Sequence, residues 1–408
     1  MRWVELAEGP VGVGHAWTVA TVRQEVDEAL QRLDGLLPPP GTPVLIKPNL
    51  NNDVPALMGN ATDLRVLQAL LEALADRGHT RLTIADGANV GVERRGLDAF
   101  ARLRVDRLAR RHGARMLDLN RAEAVEVPLV HGATRVAREV LEAPFLVAAP
   151  RLKTHAEAGL SLTMKGWVGV VVGQHKRDMH RDLPGHIARL AQRLRPHLVL
   201  LDGLVGMEGN GPGDGRPFRM DLLLAGVDAA AVDLAAARLV GLPWRRLPYL
   251  VRAVENGDVA ADLPGRIEHA LPVRRPIDPA PPRNVLARAS ELAVLRPLKL
   301  ALRPVVDTPL VSRTAHRLGV IQDRYDRADD AVTGFHRDEG RCTHCGRCGE
   351  VCPDAVPWED IGSKERGRGC LACLYCFWRC PTGALVLDGR LGYLRAQIDR
   401  YKKQIERL

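Results

Sequence analysis

Eight cysteines carry the most specific chemistry in this 408-residue chain, and all of them fall between residues 342 and 380. They form one unit twice. The first copy is Cys342-x2-Cys345-x2-Cys348-x3-Cys352-Pro353 and the second is Cys370-x2-Cys373-x2-Cys376-x3-Cys380-Pro381. This is the ligand run of a [4Fe–4S] cluster, in which three close thiolates wrap one cubane and the fourth, before proline, serves the other. The spacing therefore predicts two [4Fe–4S] clusters, one on Cys342, Cys345, Cys348 and Cys380, the other on Cys370, Cys373, Cys376 and Cys352. Disulfides would need an oxidising compartment, and small disulfide scaffolds rarely place triplets two residues apart. Zinc sites use paired C-x2-C knuckles, which a third cysteine two residues on does not fit.

A second group of residues could bind or turn over a small molecule. Lys153, His155, Lys165, His175, Lys176, Arg177, His180 and Arg181 make a dense cationic cluster within thirty residues. Such a cluster suits a carboxylate or phosphate ligand; a solvated basic face with structural histidines is the bland alternative. His175, His180 and His186 could ligate a metal, but no carboxylate at recognisable spacing accompanies them. Gly209–Gly215 holds four glycines in seven residues, which fits an anion-binding nest or a tight surface loop. There is no G-x-x-x-x-G-K-[ST] phosphate loop, and Gly12-x-Gly14 lacks the later glycine of a dinucleotide fingerprint.

The elements around these residues explain how they could converge. Pro43–Lys47, Arg81–Ala85, Pro144–Ala149 and His197–Asp202 are short apolar runs that read as buried strands. Asp63 is a good N-cap for a helix carrying Leu64, Leu67, Leu70, Leu71 and Leu74 on one face, and Gly78 marks its stop. The first two runs thus frame a βαβ unit with parallel strands. Each of the four strands ends in a polar loop, and in open α/β sheets ligands bind outside the carboxyl ends of the strands. One parallel sheet would gather Lys47, Asn49, Asn51, Asp86, Lys153, His155, Asp202, Glu208 and Asn210 at one edge. Gly96–Gly113 reads as a basic amphipathic helix, with short strands near Met116 and Val125.

The expected fold class is α/β, a largely parallel sheet with flanking helices, plus a small C-terminal ferredoxin-like domain. The domains are expected at residues 1–270 (α/β), 271–332 (a basic, proline-rich connector), 333–388 (the two-cluster domain) and 389–408 (an amphipathic helical tail). The formal net charge is +9. Leu271–Val320 holds nine Lys/Arg against three Asp/Glu and eight prolines, so the connector could steer an acidic electron donor through Arg274, Arg275 and Arg283. No nucleic-acid-binding motif accompanies the charge. Met1–Glu8 has no apolar signal region, and no apolar run is long enough for a membrane span. A cytoplasmic location is expected.

Two resemblances follow from these residues. Residues 342–384, including the Cys380-Pro-Thr-Gly-Ala384 ending, resemble the bacterial two-cluster ferredoxin domain, which implies one-electron transfer. The ordered set Lys47-Pro-Asn-Leu, Asp86-Gly, Pro150-Arg-Leu-Lys-Thr-His155, Thr163-Met-Lys165-Gly, Asp202-Gly and Met207-Glu-Gly-Asn-Gly-Pro212 resembles the domain of unknown function 362 family over roughly residues 1–260. That resemblance implies a redox iron–sulfur protein with an α/β domain and no assigned substrate. The family tends to carry asparagine after Thr-Met-Lys, where this chain has Gly166.

Two functions remain open at this level. One is an iron–sulfur oxidoreductase that takes low-potential electrons from a ferredoxin-like donor and passes them to an anionic small molecule. Lys153 and His155 would be catalytic, and Lys47, Asn49, Asn51, Lys165, Asp202, Glu208 and Asn210 would bind substrate. The other is a non-catalytic electron-transfer or adaptor protein serving a partner enzyme.

Overall fold

The computed structural model describes residues 1–281, 328–363 and 370–408. The large domain is built on one sheet. Its strands are β1 (Arg2–Val4), β2 (Val11–His15), β3 (Val44–Pro48), β4 (Leu82–Asp86), β5 (Arg115–Asp118), β8 (Phe145–Ala149), β9 (Arg151–His155), β10 (Gly159–Ser161), β11 (Leu198–Glu208) and β12 (Arg216–Gly226). Strands β6 (Ala124–Pro128) and β7 (Ala133–Ala137) form a separate hairpin.

The sheet order is β1-β2-β12-β11-β8-β3-β4-β5. From β11 to β5 every neighbour is parallel, and β12, β2 and β1 complete an antiparallel edge. The four apolar runs read from the sequence are β3, β4, β8 and the start of β11, and they do lie parallel. Helix α1 (Val19–Arg32) packs on α2 (Leu64–Asp76), the crossover between β3 and β4. Asp63 caps α2 by accepting from the Arg65 N–H at 2.9 Å. Leu64, Leu67, Leu70, Leu71 and Leu74 are all buried. Gly78, at φ +82°, ends the helix.

Three expectations change. Pro150–His155 is not a loop: β9 continues almost directly from β8, pairs with β11, and folds back as a hairpin with β10. The 96–113 segment is two short helices, Ala99–Arg102 and Val105–Arg111. Arg104 between them is left-handed at φ +64°, and the Arg102 carbonyl accepts a 3.4 Å hydrogen bond from the Tyr393 hydroxyl. The start of the connector is docked on the α/β domain, because the Arg274, Arg275 and Ile277 N–H groups bond to the carbonyls of Leu239 and Val240. Arg275 also stacks over Phe218 at 4.1 Å and pairs with Glu208 at 3.6 Å, and Arg274 contacts His15. These two arginines are therefore not the loose steering charges expected of a tether. Arg283 and the rest of the connector through 327 lie outside the described residues.

The cysteine-bearing module is closed by the antiparallel pair β13 (Ala331–Arg337) and β14 (Leu385–Arg390). The expected tail helix forms at Tyr393–Ile405. Leu374, Tyr375, Trp378 and Ile405 share one buried apolar cluster with Leu64, Leu67 and Val26, so the module is fused to the α1/α2 face. Polar ties reinforce this seam: Arg111 pairs with Asp354, Trp17 Nε1 donates to Glu350 at 3.2 Å, and Arg400 pairs with Asp214 at 2.7 Å.

Two glycines separate contact from backbone conformation. Gly59 (φ +77°) has no room for a Cβ, which would land on the Gly206 carbonyl, whereas Gly96 (φ +65°) faces open space. Gly96→Ala should cost about 1–2 kcal/mol, the left-handed penalty alone. Gly59→Ala should cost about 1–3 kcal/mol more, from overpacking against backbone. Denaturant midpoints at constant m-value measure both.

Candidate functional site

Lysines dominate the carboxyl edge of the parallel sheet. Lys47, at the end of β3, pairs with Asp86 at the end of β4 at 2.8 Å and donates to the Pro48 carbonyl at 2.7 Å. Asp86 also accepts from the Leu50 N–H at 2.5 Å and the Gly87 N–H at 2.9 Å. Lys153, on β9, is 1% exposed. Its amine donates to Asn49 Oδ1 at 2.8 Å and the Asn60 carbonyl at 2.7 Å. Both acceptors are neutral. Burial pushes the Lys153 pKa well below the ordinary lysine value, and the neighbouring positive charge of Lys165 adds to this. Lys176 is buried and donates to Asn120 Oδ1 and the Val171 carbonyl; burial brings it down to about 8.

Lys165 differs from these. It follows β10 in the single turn Thr163–Gly166, whose first two N–H groups are held by the Asp233 carboxylate at 2.8 and 3.0 Å. Lys165 is half-buried and has no hydrogen-bond partner among the described residues. Burial, helped by Lys47 and opposed by Glu157, brings its amine down to about 8.

The β9–β10 hairpin carries His155 and Glu157 beside this group. The Glu157 N–H donates to His155 Nδ1 at 3.2 Å, which leaves the neutral ring's proton on Nε2. The Glu157 carboxylate meets His180 Nδ1 at 3.0 Å. The sequence reading named neither Asn60 nor Glu157. Asn60 acts through its carbonyl, which carries no side-chain signal, and Glu157 is made local only by the hairpin.

The other expected substrate residues are placed differently. Asp202 is fully buried: it pairs with Arg151 and accepts from the N–H groups of Asp63 at 2.7 Å and Leu204 at 3.0 Å. It is a structural ion-pair partner, not a ligand contact. Glu208 turns towards Arg216, Arg275 and the Asp278 N–H. Asn210 contributes its carbonyl to the Asp214 N–H, within the turn between β11 and β12. Asn51 accepts from the Asn89 N–H through its carbonyl. The structure thus gathers Lys47, Asn49, Lys153, His155 and Lys165, and leaves Asn51, Asp202, Glu208 and Asn210 in supporting roles. His186 is fully buried, with Nδ1 facing the Met179 carbonyl at 3.1 Å, as a core histidine.

All eight cysteines are free thiols. Burial raises the Cys348 thiol to about 11, with Cys380 and Cys345 as its charged neighbours. Cys373 is pushed up by burial among Cys376, Cys352 and Cys370, and Cys376 by burial among Cys352, Cys370 and Cys348. Each proline-flanked cysteine therefore lies with the other copy's triplet. The doubled sequence yields a doubled backbone: His344 and Ala372 have φ of +53° and +50°, and Gly346 and Leu374 have +72° and +66°. Ala372 N–H and Ala384 N–H point at Cys370 Sγ (3.3 Å) and Cys380 Sγ (3.2 Å), the kind of hydrogen bond that tunes a cluster's potential. This soft donor set of eight cysteine sulfurs, two of them buried, fits iron–sulfur ligation. Glu339, Cys342 and His344 also lie close enough to hold an ion, but Cys342 belongs to the first triplet.

One short segment touches both sites. Asn60 O receives Lys153, Thr62 Oγ1 links the Asn49 N–H to the Ala149 carbonyl at 2.8 Å each, and the Leu64 N–H donates to the Tyr375 hydroxyl at 3.1 Å. Tyr375 lies between Cys373 and Cys376.

Comparison with known proteins agrees with this division. Residues 44–238 match "Domain of unknown function (DUF362)" and residues 335–357 match "4Fe-4S binding domain". A curated relative, "Thylakoid-associated protein sll1697" of Synechocystis sp., is 29% identical over 144 residues, which is 33% of this chain and 45% of that protein. The chain thus spans less than half the length of that relative. A solved lactate racemase apoprotein from Thermoanaerobacterium thermosaccharolyticum aligns at 16% identity and TM-score 0.35, covering 48% of this chain and 50% of that one. Among the described residues no helix is long and apolar enough to cross a membrane. The chain carries a DUF362 domain over residues 44–238 and, C-terminal to it, a 4Fe–4S binding domain with eight cysteines in two groups.

Proposed function

We propose that this protein is a cytoplasmic iron–sulfur oxidoreductase whose two [4Fe–4S] clusters serve an anionic small molecule held among Lys47, Lys153 and Lys165. The clusters would supply low-potential single electrons received from a ferredoxin-like donor. The observation that carries the reading is positive charge buried in excess of its partners. Lys47 has Asp86, but Lys153 has only neutral acceptors and Lys165 has none among the described residues. An unpaired buried cation is costly, and an anion entering this group would supply the missing counter-charge. Lys153 is held rigidly by Asn49 and Asn60 and would anchor it. His155, with its proton on Nε2, would donate that proton as negative charge develops on the substrate. The polar segment from Asn60 to Leu64 supports coupling to the second cysteine group through Tyr375. The carrier reading draws on Cys345 and Cys370, both exposed, where a partner protein could approach either cluster.

Anaerobically reconstituted protein should hold about eight irons, two cubanes of four. Cys352→Ser should damage the cluster on Cys370, Cys373 and Cys376 more than its sequence neighbour. Iron analysis and electron paramagnetic resonance of the reduced protein report this; loss confined to the first cluster would overturn the crossed ligation.

Lys153→Met keeps the stem and removes the charge. It should weaken anion binding about tenfold to a hundredfold, the value of a charge-assisted hydrogen bond, while both clusters stay reducible by dithionite. Turnover is read as reoxidation of reduced clusters by substrate under anaerobic conditions. If wild type and variant respond alike to every anion, yet still pass electrons to a partner protein, the carrier reading stands instead.

The free lysines sit low and a bound anion raises them, so binding takes up protons. Affinity should be full below pH 8 and fall as pH rises through about 8, the value reached by Lys165. Titration calorimetry in buffers of different ionisation enthalpy measures that proton uptake.

A further inference from the structure

We propose that Lys165 is a nucleophilic amine that condenses with the carbonyl carbon of an oxo acid, whose carboxylate is held by Lys47 and Lys153. This rests on the anion-pocket reading above and names its substrate class: a carboxylate with an adjacent aldehyde or ketone.

The argument begins with how differently the lysines are held. Lys47, Lys153 and Lys176 each donate to protein acceptors at the sheet edge. These amines are committed to fixed positions and suit binding. Lys165 alone of the four has no acceptor among the described residues, and the residue as a whole is half-buried. It is also an electrostatic neighbour of both Lys47 and Lys153.

Space is available beside it. Gly166 is buried, yet a Cβ built there would meet no atom within 4 Å. A means of moving protons is close by, since Glu157 neighbours Lys165 and hydrogen-bonds His180 at 3.0 Å.

The step balances without any oxidant or reductant. The Lys165 nitrogen bonds to the carbonyl carbon and gives a carbinolamine. The carbon–oxygen bond then breaks, and the oxygen leaves as water carrying one hydrogen from the amine and one proton from His180, while the nitrogen keeps its second hydrogen as the iminium N–H. His180, oriented by Glu157, protonates the departing hydroxyl. A lysine desolvated beside other cations is a known way to keep such an amine nucleophilic. With its pKa near 8, a useful fraction of Lys165 is free base around neutral pH. The resulting iminium is more readily reduced than the parent carbonyl, which suits a chain with no visible flavin or nicotinamide motif.

The test is reductive trapping on the full-length, cluster-loaded protein. Glyoxylate and pyruvate are the probes, acetaldehyde is the control without a carboxylate, cyanoborohydride is the trap, and peptide mass spectrometry gives the position. The expected result is an adduct at Lys165, faster as pH rises towards about 8, where the amine becomes free base while the carboxylate is still bound, with acetaldehyde labelling at least tenfold slower. Lys165→Arg should abolish it. Gly166→Asn, which occupies the space the oxo acid would need, should slow it about tenfold or more. Adducts spread over exposed lysines, or none at Lys165 with either oxo acid, would overturn the proposal. Equal labelling by acetaldehyde would remove Lys47 and Lys153 from it. Reoxidation of reduced clusters is followed separately. An adduct without reoxidation keeps the amine and ends the reductase reading; reoxidation without an adduct does the reverse.

Discussion

Two ion pairs with no access to water, Asp63–Arg65 and Arg151–Asp202, hold the rest of this structure in register. They are cross-linked, because the Asp63 N–H donates to Asp202 at 2.7 Å. Asp63 caps α2, Arg151 begins β9, Asp202 sits on β11, and Arg65 donates to the Trp17 carbonyl while stacking over its ring at 4.7 Å. Removing one member of such a group leaves a buried charge uncompensated, at a cost of about 3–5 kcal/mol. Its value here is positional. It fixes the start of β9, which places Lys153, and the start of α2, which meets Tyr375.

The same economy of charge separates structure from site. The four ions of that group balance, two carboxylates against two guanidinium groups. The lysines a few residues away do not balance. Burial lowers the pKa of both Lys153 and Lys165. Under the proposed function, an anion entering there would supply the counter-charge these amines lack. That property is what makes the lysine group a candidate site and the ion-pair group a scaffold.

Attachment of the cysteine module follows from apolar packing. Trp378, Leu374 and Ile405 complete a core that α1 and α2 begin, and Arg400 reaches Asp214 in the turn after β11. That turn is pinned in part by Thr154, whose hydroxyl donates to the Gly209 carbonyl at 2.9 Å. The module that would carry electrons is thereby packed against the domain that would use them.

What the sequence determined by itself was local and periodic. Cysteine spacing is a short-range property, so the 4Fe–4S binding domain could be recognised from it. The apolar runs of β3, β4, β8 and β11, and the capped leucine face of α2, follow from burial and hydrogen-bond satisfaction within single elements. A parallel sheet then brings Lys47 to Asp86 with no further information. What only the tertiary structure decided was the direction and partnership of polar side chains. Asp202 and Lys153 look alike in sequence, each polar at the end of an apolar run. One is neutralised by an arginine from β9; the other meets only a carbonyl and an amide. Glu157 and Asn60 gain meaning through a hairpin and a backbone carbonyl, neither of which has a residue-type signature. Arg275 reads as loose charge until Phe218 and Glu208 arrive from distant strands. Charge compensation is a long-range sum over neighbours, and only the folded chain supplies those neighbours.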